Sequence, residues 1–157
     1  MTEGDAAVHE RWMQLALAEA RAGMEAGEVP IGAVVVLDDT EIARAFNQPI
    51  RRHDPCAHAE IVAMRAAAEA VGNYRLTGAT LYVTLEPCLM CAGALVHARI
   101  GRLVFGAREP KTGAVVSNLQ ALDLPHHNHR VEVVGGVLEP ECRDLIQLFF
   151  AEKRGRD

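Results

Sequence analysis

The sequence predicts an α/β fold: a three-layer α/β/α sandwich with a five-stranded mixed sheet, forming a single domain over residues 1–157. Three observations predict it. Runs such as Ile31–Leu37 and Thr80–Leu85 are short, rich in β-branched residues and nearly continuous in apolar character, as strands buried on both faces are. Stretches with helical spacing of apolar residues separate these runs, so that helices must cover the sheet on both sides. The 157 residues are 50% hydrophobic and 24% charged, which suits one packed core and marks no domain boundary, repeat or low-complexity segment.

The elements follow in order. Asp5 or a neighbour caps a first helix running to about Ala26, with Trp12, Leu15, Ala16 and Met24 on its apolar face and Gly27 as its stop. Ile31–Leu37 is the first strand, Asp38-Asp39-Thr40 a tight turn, and Glu41–Phe46 the returning strand of a hairpin. Asn47-Gln48-Pro49 breaks that strand, and residues 51–55 form a charged loop. Asp54 caps the next helix there, with Pro55 in its first turn. That helix carries Ile61, Val62 and Met64 and ends near Gly72, leaving Tyr74 and Arg75 in a connection. Thr80–Leu85 is the third strand, and Pro87 opens a helix that reaches about Ala98. Leu103–Phe105 and Val131–Val134 are the last strands. Between them, residues 107–128 form a long connection with one helical turn at 119–122, of the kind that often carries function. A final helix starts at Glu139, and Lys153, Arg154 and Arg156 suit its C-terminal end.

The net charge of −5 and the sequence pI near 5.8 confine any nucleic-acid surface to a local patch. Residues 1–11 carry Glu3, Asp5 and Glu10 and no apolar segment, and no run approaches membrane-spanning length. The expectation is a cytoplasmic protein with no membrane partner. Of the four cysteines, Cys88 and Cys91 are too close in sequence to staple distant parts of a fold, which points to metal or thiol chemistry.

Cysteines at positions i and i+3 in the first turn of a helix face one side, where free backbone N–H groups favour thiolates. His58 from a second helix completes three ligands for a zinc ion, leaving a fourth position open for water. Glu60 is the residue to move that water's protons. His58 and Glu60 are two apart, so they border one site only if His58 lies in an irregular first turn. Taken singly, His58 reads as a satisfied polar residue and Glu60 as a solvated charge. Taken with the cysteine pair, they form an open catalytic metal site able to attack an amidine-like carbon and expel ammonia. Three rivals stand beside it. A Cys88–Cys91 redox disulfide leaves His58 and Glu60 idle. A Cys56 thiolate on the ion would close the site as a structural Cys3His centre, whereas Cys56 is expected to be a small buried apolar residue. A non-catalytic RNA-binding module stabilised by zinc would not need Glu60. Cys142 reads as core or a free thiol.

The blocks His58-Ala59-Glu60 and Pro87-Cys88-Leu89-Met90-Cys91 resemble the zinc-dependent cytidine and deoxycytidylate deaminase superfamily. Within it, Glu28–Val34, residues 52–55, Asn73–Leu76, Thr84–Gly93, Phe105–Arg108, Lys111–Ala114 and Asn128–Glu132 are most similar to the bacterial tRNA-specific adenosine deaminases. The resemblance implies a cytidine deaminase-like fold and hydrolysis of adenosine to inosine at the wobble position of a tRNA anticodon, in an arginine tRNA, by a homodimer. It implies one zinc ion per subunit on His58, Cys88 and Cys91, with Glu60 as the catalytic proton shuttle. It assigns Asn47 to the target nucleoside and Arg108, Glu109 and Asn128 to the anticodon loop. Phe149 and Phe150 match an aromatic pair near the RNA, although either can be core, and Asn47 can simply cap a strand. Glu109-Pro110 and Cys56 depart from the commoner family pattern. The alternative activity is deamination of a free nucleobase or nucleoside, of guanine or cytidine type.

An RNA substrate needs positive charge at the site's rim. Arg51, Arg52, Arg75, Arg108, Lys111, Arg130, Lys153 and Arg154 are its candidates, and His126, His127 and His129 can join them. A few phosphate contacts suffice for a splayed single-stranded loop whose bases enter pockets.

Overall fold

The computed structural model describes residues 2–156, with the side chain of Arg156 outside the described set. Helix α1 (Glu3–Glu25) begins at a capping box. Thr2 is the N-cap, its hydroxyl accepts from Asp5 N, and the Asp5 carboxylate reaches back to Thr2 N. Asp5 therefore completes the cap from inside the helix.

Strands β1 (Gly32–Leu37) and β2 (Thr40–Phe46) form the expected hairpin, with Asp38 and Asp39 both at positive φ in a two-residue turn. A short helix, α2 (Pro49–Arg52), stands where a loop was expected. Helix α3 (Ala59–Val71) starts later than the Asp54-Pro55 signal implied: His58 is its N-cap. The Asp54 side chain instead accepts from Cys56 N at 2.9 Å, stabilising the turn ahead of the helix. Strand β3 (Thr80–Leu85) falls as expected, but α4 (Leu89–His97) opens two residues after Pro87, with Cys88 as N-cap. Strand β4 (Arg102–Ala107), a 3-10 turn at Ala121–Asp123, β5 (Glu132–Val134) and α5 (Glu139–Arg156) complete the chain.

The sheet order is β2-β1-β3-β4-β5, with β1 antiparallel to both neighbours and β3, β4 and β5 parallel. Alternation along each strand feeds two cores, as buried mixed strands require. Val34, Val36, Tyr82 and Val104 pack against Trp12, Met13 and Leu17 of α1 and Cys142 of α5. Ala33, Val35, Leu81, Val83, Leu103 and Phe105 face α3 and α4 on the other side. Helix α1 approaches β1 so closely that a Cβ at Gly32 would collide with the backbone of Ala16.

This topology gathers chain segments at one end of the sheet. The start of β1, the end of β2 and the C-terminal ends of β3, β4 and β5 meet there, the edge at which ligands bind in open α/β sheets.

Candidate active site

Three side chains converge at that end. His58 is the N-cap of α3, with φ −67° and ψ 154°, so its side chain leaves the chain before helical spacing begins. Extended geometry at His58 is what lets it share a site with Glu60, which already sits in the first turn. Cys88 is the N-cap of α4, directly beyond β3, and Cys91 lies in that helix's first turn. The His58 Nδ1 atom lies 3.6 Å from Cys88 Sγ and 3.5 Å from Cys91 Sγ, and all three donor atoms lie within 4.8 Å of one another.

These spacings fit a metal. A tetrahedral ion bound at ordinary Zn–S and Zn–N lengths holds sulfur and nitrogen about 3.6 Å apart. The group is a mixed thiolate and imidazole set, half-buried at Cys88 and His58 and buried at Cys91, and it can hold a metal ion. Cys56 takes no part in it. Its thiol is exposed, contrary to the expectation of a buried residue, because the turn closed by Asp54 carries it away from the core.

Electrostatics follow from this packing. Hydrogen bonds from Cys91 and then His58 pull the Cys88 thiol down to about 3, the range of an ionised sulfur. Cys91 moves upward because it donates to Cys88 and is buried. The hydrogen bond with Cys88 raises the His58 pKa. Glu60 is 4% exposed, and burial raises its pKa, while its own backbone N–H, His58 and Cys91 act in the opposite direction. The result is a carboxyl beside the donor group that holds a proton more readily than a surface glutamate.

Asn47, at the end of β2, is 7% exposed. Its backbone N–H donates to Ile31 O at 2.9 Å, which fixes the residue at the site end of the hairpin. Arg108 is exposed just beyond β4, and Glu109 is half-buried. The Glu109 carboxylate accepts from Lys111 N at 2.9 Å, an internal use within its own loop. Phe149 and Phe150 meet edge to face at 5.2 Å between ring centroids. Phe149 is half-buried beside Met24 and Gly27 at the end of α1, while Phe150 is exposed. Helix α5 thus lies across the site end of the sheet.

Two expected rim positions need correction. Arg75 precedes β3 and Arg130 precedes β5, so both stand at the opposite end of the sheet from Cys88. Asn128 lies there too: its neighbour His129 hydrogen-bonds Ile100 O, ahead of β4, at 2.7 Å. Within one chain, Asn128 does not share a mouth with Asn47 and His58. His127 is likewise tied to Ala121 O at 2.7 Å. Among the described residues, His58, Cys88 and Cys91 form the one metal-competent group.

A cavity of about 580 Å³ is also at that far end, where Asp5, His9, Asp38, Asp39, Arg102 and Glu132 contribute to its lining. It lies far from the donor group and has no part in its chemistry.

Two buried carboxylates were not foreseen as site elements. Glu28, 1% exposed, accepts from Ile50 N at 3.2 Å and Arg51 N at 2.8 Å, anchoring α2 beside Asn47. Glu86, 3% exposed, accepts from Glu109, Val115, Val116 and Ser117 backbone N–H groups and from the Ser117 hydroxyl. The available signal was a glutamate one or two residues ahead of a proline in each segment, Glu86-Pro87 and Glu28-Val29-Pro30.

Comparison with known proteins agrees with this geometry. Residues 7–154 match the model of the MafB19-like deaminase family. A tRNA-specific adenosine deaminase of Agrobacterium fabrum is 51% identical over 143 residues, covering 91% of this chain and 94% of that protein. One from Bacillus subtilis is 48% identical over 145 residues, covering 92% and 90%. A solved structure from a study of A-to-I editing by tRNA:A34 deaminases superposes with a TM-score of 0.84 at 50% identity, covering 86% of this chain and 98% of that one. With its deaminase fold and its His58, Cys88 and Cys91 donor group, the chain belongs to the tRNA-specific adenosine deaminases.

Proposed function

We propose that this protein is a zinc-dependent hydrolase that converts adenosine to inosine at the wobble position of a tRNA anticodon, with an arginine tRNA as substrate. The observation that carries the reading is the buried Glu60 carboxyl set against His58, Cys88 and Cys91 in a chain about half identical to tRNA adenosine deaminases. Bound by these three residues, a zinc ion would supply a polarised water at neutral pH. Burial equips Glu60 to accept a proton, keep it, and pass it to the departing amine. Asn47 is buried at the end of β2, and its amide suits hydrogen bonding to the nucleoside.

Charge favours RNA at this end. Arg51, Arg52, Arg108, Lys111, Lys153 and Arg154 are exposed, and none forms an ion pair among the described residues. The arginines that do pair with carboxylates are Arg44, Arg65, Arg102 and Arg143. Unpaired cations are available to phosphates, and a flipped-out base fits the family's chemistry.

The working unit is proposed to be a homodimer in the cytoplasm. Leu89 and Met90 are exposed on α4, Leu119 and Leu124 border Leu89, and Tyr74 is 70% exposed over a groove of about 380 Å³ between α3 and α4. Exposed apolar residues at both ends of α4 suit a second copy of the chain. Among the described residues, no helix is long and apolar enough to cross a membrane.

The deciding experiment is Glu60→Gln in metal-loaded protein, with inosine in an anticodon stem-loop measured by mass spectrometry. The variant should keep its metal and fold and lose on the order of 10³-fold in rate, as removal of a proton shuttle does. Full retained activity overturns the mechanism. Turnover of free guanine or cytidine in preference to the stem-loop would establish the alternative activity.

A further inference from the structure

Glu86 stands between the strand and the cysteine turn, yet it carries none of the chemistry above. Its carboxylate is the acceptor for five donors from residues 109–117, at 3.1 Å from Glu109 N, 3.1 Å from Val115 N, 2.9 Å from Val116 N and 3.0 Å from Ser117 N, with the Ser117 hydroxyl as the fifth. Two backbone bonds also hold the strip around Glu86, one to the end of β4 and one to this stretch. Glu86 N donates to Ala107 O at 2.8 Å, and Ala114 N donates to Pro87 O at 2.9 Å.

The loop is shaped around that carboxylate. A Cβ at Gly113 would collide with the Glu86 carboxyl group and with Glu109 O, so only glycine permits the wrap. Asn118 closes the loop's base by donating to Pro110 O and Gly113 O. Ala114 and Val115 are buried in the core cluster that includes Cys91, whereas Arg108 and Lys111 project outward. A buried carboxylate surrounded by donors alone cannot be replaced by an amide without setting one N–H group against others.

We propose that Glu86 is a positioning residue for RNA binding: it holds loop 109–117 in one conformation against the Pro87-Cys88 turn, so that Arg108 and Lys111 meet the anticodon loop preformed. This rests on the proposed tRNA reading and deepens it. A loop that populates its binding conformation only part of the time weakens apparent affinity by that fraction. The chemistry at Glu60 is untouched by such a loss, so the defect belongs in KM and not in kcat.

The test compares Glu86→Gln and Ser117→Ala with wild type, each metal-loaded. Hydrogen exchange is followed at residues 109–117, and steady-state inosine formation on an anticodon stem-loop is measured. Glu86→Gln should speed exchange at Val115, Val116 and Ser117 and raise KM by roughly tenfold, as loss of a charge-assisted set of hydrogen bonds implies, with kcat changed less than about threefold. Ser117→Ala removes one of the five donors and should give a smaller change of the same kind, which keeps the test open should the first variant fold poorly. Faster exchange with an unchanged KM overturns the proposal, as does a fall in kcat at constant KM, or an unaltered loop in both variants. Wild-type protein inactive on the stem-loop would instead overturn the tRNA reading itself, so the two failures are separable.

Discussion

His58 Nδ1 lies 3.5 Å from Cys91 Sγ, although 33 residues separate them in the chain. The contact exists because each belongs to the start of a helix that follows a strand ending at the same edge of the sheet. If these atoms share an ion, Cys88→Ser, Cys91→Ser and His58→Ala should each lose bound zinc in elemental analysis. Cys56→Ser should keep it, since that thiol is exposed and outside the group. Zinc loss in Cys56→Ser would mean a closed four-ligand centre.

Glu28→Ala would leave the Ile50 and Arg51 amides without their acceptor in a part-buried position. The expected cost is about 2 kcal/mol, lowering the melting temperature by roughly 4–8 °C. Thermal denaturation measures it. A melting point unchanged from wild type would show that α2 needs no anchor.

A pH-dependent term arises at the far end of the sheet. His9 of α1 is 4% exposed and 2.8 Å from the Tyr82 hydroxyl of β3. Tyr82 is pushed up to about 12 by burial, so it stays protonated and keeps a hydroxyl able to donate to Nδ1. Burial, and then Arg102 of β4, hold the His9 pKa below 6.5, against Asp5 of α1 and Glu132 of β5, which pull it upward. The folded state therefore prefers neutral His9, and the unfolded chain binds its proton first as pH falls. This contribution is complete above 6.5 and is lost as pH drops toward the lower folded value. Between about pH 7 and 5, where histidine titrates, wild type should lose more melting temperature than His9→Gln. Parallel curves would remove His9 from the account.

The exposed apolar face along α4 predicts a dimer in sedimentation velocity. Combining Tyr74→Asp with Leu119→Asp should yield a folded monomer, since both side chains are solvent-facing in the single chain. A wild-type monomer at micromolar concentration would contradict the homodimer.

Much of this molecule was legible in its sequence where one physical signal dominates. The two-sided burial of Val34, Val35, Tyr82 and Val83 is written as continuous apolar runs, and it fixed the layered fold. The donor group was legible because thiols and imidazoles are rare and their spacing is chemically constrained. Helix starts were less so. Asp54-Pro55 carries a strong cap signal, but its carboxylate serves Cys56 N, and His58 caps α3 without a side-chain hydrogen bond. The placement of Arg75, Asn128 and Arg130 depends on which end of a parallel strand each connection precedes, a property of topology and not of local composition. Glu28 and Glu86 resemble surface glutamates until the backbone amides that surround them are known.

Cations and carboxylates are also placed unevenly around the sheet. Arg51, Arg52, Arg108 and Lys111 are exposed near the donor group, while Asp5, Asp38, Asp39 and Glu132 line the far cavity in a chain of net charge −5. An approaching polyanion thus meets local attraction at the unpaired cations of the site end within a net repulsion from the whole chain. Its orientation is selected before contact, over distances set by the ionic atmosphere. Added salt weakens the attraction at one end and the repulsion from the rest together, so association should depend on ionic strength less steeply than a count of the rim cations implies.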